Sequence, residues 1–109
     1  MSLPVSRDME LDPGTFGGSP ACHVLVDMLN KGVVSVRDKH KILSFITKAT
    51  YHFKCLSALE DKSVRIRSMT LVKDDILSNV DKMPYSDKFK SYLKNVIYHH
   101  FRRYLREAI

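Results

Sequence analysis

The chain has 109 residues, is 44% hydrophobic, lacks tryptophan, and carries 18 Lys and Arg against 12 Asp and Glu for a formal net charge of +6. A length inside the ~100–150 residues of a typical domain supports one hydrophobic core and argues against a multidomain array. This apolar content excludes disorder throughout, and no apolar run approaches the ~20 residues that cross a bilayer, since Val24-Leu25-Val26 is broken at Asp27.

The opening 20 residues hold Gly14, Gly17, Gly18, Pro4, Pro13 and Pro20. Such a stretch sustains neither a helical nor a strand period, so residues 1–19 read as a flexible N-terminal tail. One arginine, Arg7, faces three acids, Asp8, Glu10 and Asp12, so the tail carries −2 and leaves +8 for residues 21–109. The tail lacks the basic and apolar regions of a secretory signal. A cytosolic or nuclear location is therefore expected, with Cys22 and Cys55 as thiols rather than a disulfide.

Beyond the tail only Gly32 and Pro84 remain as helix breakers, and apolar residues recur at helical spacing. The expected fold is all-α, a compact bundle-like array of four or five helices over residues 20–109. Ser19-Pro20 is a cap and first-turn pair, and Gly32 suits a left-handed stop, which predicts a first helix over about 20–31. Ser35 with Asp38 starts a second helix with the stripe Ile42, Phe45/Ile46, Ala49, Phe53 and Leu56. A third helix, capped by Asp61 or Ser63, carries Met69, Val72, Ile76, Val80 and Met83. Its start is less sharply marked, because Val64-Arg65-Ile66-Arg67 alternates with period two, a pattern compatible with a short extended segment before the helix. Ser86 and Asp87 open a last helix with Phe89, Leu93, Val96/Ile97, Phe101 and Leu105.

Little in the chain points to catalysis or metal binding. His52-x-x-Cys55 and Cys22-His23 supply ligand types, but adjacent residues diverge by about 100° on a helix and neither half is a two-cysteine knuckle. Cys55 with His52 nearby is the sole nucleophile candidate, and it sits beside Phe53 and Leu56. The acids form no convincing pair, and the glycines follow no predicted strand as a phosphate-cradling loop requires. The expectation is a non-enzyme without metal or cofactor.

The concentration of charge is more informative. Lys88, Lys94, Tyr98, His99, Arg102, Arg103 and Arg106 lie on the last helix, where residues 86–109 carry six Lys and Arg against two acids. Guanidinium groups suit phosphate oxygens, and nearby tyrosines suit unpaired bases. Arg37, Lys39, Lys41, Lys48 and Lys54 form a secondary basic face along the second helix. The reference pKa of a histidine side chain is near ~6.5, so with His99 and His100 on this helix mild acidification is expected to raise the charge further. Apolar residues off the main stripes, among them Val33, Val34, Val36, Ile66 and Leu71, with Met9, Leu11 and Phe16 in the tail, favour a contact surface for protein. The expected function is a helical protein-interaction or regulatory module that binds a partner protein or a second copy of itself. The alternative is RNA or DNA binding on the basic faces of the second and last helices, if these merge.

Overall fold

A computed structural model describes residues 19–109 as four helices with no strand among them. Residues 1–18, nearly all of the expected tail with its acids and its Met9, Leu11 and Phe16, lie outside the described residues. The helices are α1 (Pro20–Asn30), α2 (Val36–Leu56), α3 (Lys62–Asp81) and α4 (Asp87–Ala108), which places the fold in the all-α class as a helical bundle.

Every helix begins on a short polar side chain that accepts from an otherwise unpaired backbone N–H. Ser19 Oγ accepts from Cys22 N at 3.2 Å, Ser35 Oγ from Asp38 N at 3.1 Å, Asp61 Oδ1 from Val64 N at 3.0 Å and Ser86 Oγ from Phe89 N at 3.2 Å. α1 stops as expected at Gly32, whose φ of +79° is the left-handed conformation a glycine adopts without penalty. The Gly32 and Val33 amides donate back to the carbonyls of Leu29 and Met28, the paired hydrogen bonds of a Schellman cap.

The Asp61 cap removes the ambiguity at the start of α3. Once Asp61 accepts from Val64 and the Arg65 amide donates to the Asp61 carbonyl at 2.9 Å, Val64-Arg65-Ile66-Arg67 forms the first helical turns rather than an extended segment. Its period-two pattern arises because Val64 and Ile66 are both only half-buried, while Arg65 between them is held by carbonyl groups.

α4 is the shared partner. It packs on each of the other three helices, whereas α1 packs substantially on α4 alone. Its buried residues therefore occupy a wide arc: Phe89, Leu93, Val96, Ile97, His100, Phe101 and Ala108. Facing them are Cys22, Leu25, Val26 and Leu29 of α1, Ile42, Ile46, Ala49 and Phe53 of α2, and Met69, Ile76 and Val80 of α3. Phe53 and Phe101 meet edge to face with centroids 5.7 Å apart, a favourable aromatic geometry.

Arg65 fastens the far end of the bundle. Its Nε and Nη2 donate to the Ala108 carbonyl at 3.0 and 2.8 Å, and its Nη1 donates to the carbonyls of Leu59 and Glu60 at 2.7 and 2.8 Å. One planar guanidinium thus joins the last turn of α4 to the connection between α2 and α3, and its positive charge suits the negative end of the α4 dipole. Truncation to Arg65→Ala is expected to cost about 2 kcal/mol in urea unfolding with an unchanged m-value, since charge-assisted hydrogen bonds contribute roughly 1.5–3 kcal/mol and this site is partly solvated. Arg65→Lys should recover less than half of the loss, because an ammonium cannot span the two sets of carbonyls. A lysine variant as stable as the parent would contradict this account.

Candidate functional site

The polar residues left over from core formation gather on two grooves. The first lies between α2 and α3. Its floor is Phe45, Ala49, Val72 and Ile76, its α2 rim is Lys48 and His52, its α3 rim is Asp75 and Asn79, and its volume is about 320 Å3. At Phe45 it adjoins a second recess of about 350 Å3 lined by Asp38, Lys41, Ile42, Met83, Pro84 and Tyr85. The combined trough is apolar below, carries Lys41 and Lys48 on α2 with the Asp38 carboxylate near the start of that helix, and is acidic on the α3 side at Asp75. Partial burial, together with the neighbouring Asp38 carboxylate, raises the pKa of the Tyr85 phenol in the second recess.

The second groove, of about 380 Å3, separates the start of α1 from the outer face of α4 and is lined by Ser19, Pro20, Ala21, Asn95, Tyr98, His99, Arg102 and Arg106. Asn95, His99, Arg102 and Arg106 follow spacings of four, three and four, so they form one stripe on the side of α4 away from its core. The Arg102 guanidinium lies over the Tyr98 ring, 5.9 Å from its centroid, and Tyr98 in turn rests against Phe101. Neither Arg102 nor Arg106 has a carboxylate partner among the described residues.

The remaining cations expected on α4 are placed differently. Lys88 is exposed near the beginning of α4, away from the groove. Lys94 is engaged: its Nζ donates to Asp81 Oδ1 at 2.7 Å, and this contact holds the Asp81 carboxyl below its usual range. Arg103 leaves the stripe and lies over the Tyr104 ring, 5.8 Å from its centroid.

On α2, Arg37, Lys41 and Lys48 share one exposed stripe at spacings of four and seven. Lys54 projects about a third of a turn away from them. Lys39 does not belong to a basic face. It is 4% exposed, and its Nζ donates to Asn30 Oδ1 at 3.1 Å, which ties the start of α2 to the end of α1. The spacing Lys39, Ile42, Ile46 puts this lysine in the apolar stripe, a periodic signal that outweighs its charge. The two basic faces do not merge in either groove: Lys41 and Lys48 border α3, whereas His99, Arg102 and Arg106 border α1.

Among the described residues no group of three or more His, Cys, Asp or Glu is arranged to hold a metal ion, and no helix is long and apolar enough to cross a membrane. No disulfide joins the cysteines: Cys22 is in the core and Cys55 is exposed.

His100 overturns the expectation that both adjacent histidines gain charge in mild acid. It is 4% exposed, with no hydrogen-bond partner for Nδ1 or Nε2. Burial, then the nearby His99 and Arg103, depress its pKa from 6.5 to about 4. The folded protein keeps this ring neutral where the unfolded chain takes up a proton, so its stabilising effect is complete above pH ~6.5 and is lost as pH falls towards ~4. Between pH 7 and pH 5 the unfolding free energy is expected to fall by about 2 kcal/mol from this residue. In His100→Leu, denaturant unfolding across the same interval should lose that increment. An unchanged pH slope would refute the assignment.

Comparison with known proteins finds no matching family model, no matching curated protein and no matching solved structure.

Proposed function

We propose that the chain is a non-enzymatic interaction module that takes an amphipathic helix of a partner protein into the trough between α2 and α3. The observation that carries this reading is the opposition of rims across an apolar floor: Lys41 and Lys48 on α2, Asp75 on α3, and Phe45, Val72 and Ile76 between them. Helix-in-groove recognition uses apolar anchors at i, i+3, i+4 and i+7, and flanking charges set orientation more than affinity. A ligand helix with acids towards α2 and a base towards α3 meets complementary charge in only one direction. The exposed Cys55 thiol accords with a reducing setting, cytosolic or nuclear. Nucleic-acid binding on merged faces of α2 and α4 is the weaker reading, because the two sets of cations border different grooves.

A photo-crosslinking residue at Asn79, on the trough rim, is expected to capture a partner segment in cells, and the same group at exposed Thr47 is not. Val72→Arg should abolish the crosslink and the salt-resistant retention of that partner, and Lys41→Glu with Lys48→Glu, used where the first variant fails a circular-dichroism check of folding, should weaken the crosslink at low salt. If the captured species is this chain and sedimentation gives a dimer sensitive to Val72→Arg, the occupant is a second copy. Retention of the same partner by every folded variant, with the low-salt crosslink undiminished, would overturn the proposal.

A further inference from the structure

The groove between α1 and α4 has a chemistry that helix docking does not use. Its wall is a stripe of His99, Arg102 and Arg106 with Asn95 at one end and Tyr98 alongside. Arg65 shows what a satisfied guanidinium looks like in this fold, with its donors shared among three carbonyls. Arg102 and Arg106 contrast with it: both are exposed and lack a carboxylate partner among the described residues. They are four residues apart, so their positions along the axis differ by about 6 Å. On the opposite wall the first turn of α1 adds the positive end of a helix dipole.

Tyr98 decides between anionic ligands. A site for phosphate alone needs donors and charge. This groove also presents an aromatic ring that is 44% exposed, backed by Phe101 and stacked with Arg102. Aromatic and arginine planes are the surfaces on which unpaired bases stack, while arginines follow the backbone between them. The Asn95 amide lies within the same groove and offers both a donor and an acceptor to a base edge. Lys88, exposed on the same side of α4 but seven residues and about 10 Å before Asn95, lies outside the groove itself. We infer that the α1–α4 groove binds single-stranded nucleic acid, with successive phosphates on Arg102 and Arg106 and a base against Tyr98. This site needs neither the α2 cations nor the α2–α3 trough, so it stands or falls independently of partner docking.

The test is fluorescence anisotropy of the whole chain with a labelled oligo(dT) or oligo(U) of about 12 nucleotides, within the ~4–16 that small single-strand sites cover. Engagement of two or three phosphates predicts that affinity falls roughly tenfold between 50 and 200 mM salt. Arg102→Glu with Arg106→Glu should remove binding, and Arg102→Gln with Arg106→Gln serves where the first pair compromises folding. Tyr98→Ala should weaken binding about tenfold or more without changing the salt slope, because stacking releases no counterions. Val72→Arg and Lys41→Glu with Lys48→Glu should bind like the parent. No binding at 50 mM salt overturns the inference, as does binding indifferent to Arg102 and Arg106. Displacement by a phosphoserine peptide with Tyr98→Ala unaffected also overturns it, and assigns the groove to a phosphorylated protein.

Discussion

A single helix has to satisfy three others. α1 has almost no packing partner but α4, and α2 and α3 both lean on α4 as well. An amphipathic helix against one neighbour needs an apolar stripe little more than 100° wide. α4 instead buries residues at Phe89, Leu93, Val96, Ile97, His100 and Phe101, so its polar residues are compressed into what remains. The density of cation on that narrow strip follows from the packing. The buried residues spread over roughly 140° of the helix circumference, and Lys88, His99, Arg102 and Arg106 lie on the opposite side.

The same constraint accounts for the two grooves. Because α2 and α3 each meet α4, the space between them is set by the width of that helix and is filled only partly by Phe45, Val72 and Ile76. On the other side the short α1 leaves its first turn standing beside the outer stripe of α4. One groove is apolar with opposed charges at its edges, and the other is polar and cationic with an aromatic wall. The proposed partner helix and the inferred nucleic acid would therefore lie on separate faces of one small domain.

Most of the fold was legible in the sequence because local signals agreed with one another. Ser19-Pro20 and Gly32 bounded α1, Ser35 with Asp38 and Ser86 with Asp87 opened α2 and α4, and the apolar periods located the core. The start of α3 was not legible, since two cap candidates and a period-two stretch gave conflicting signs that only the Asp61 hydrogen bond resolves. Lys39 and His100 show the limit of reading by residue type. Both are polar residues that sit on the apolar period of their helices, and the period prevailed in each case. Arg65 was out of reach for another reason: its partner Ala108 is 43 residues away, and no local pattern announces a carbonyl left open at the end of another helix. The site residues were legible as a list but not as a surface. Periodicity grouped His99, Arg102 and Arg106, while the withdrawal of Lys94 to Asp81 and of Arg103 to Tyr104 depends on tertiary neighbours.

The position of α4 in the chain bears on how the protein is made. Synthesis proceeds from the N-terminus at about 5–20 residues per second, and segments fold as their partners emerge. Here the partner common to the first three helices is made after all of them. Until it does, Leu25 and Leu29 of α1 and Phe53 of α2 have no complete surface to cover them. The nascent chain therefore carries exposed apolar stripes while the first three helices are made, and completion of the core waits for α4. Any shielding of those amphipathic helices before α4 arrives has to be reversible, because the same apolar faces form the finished core.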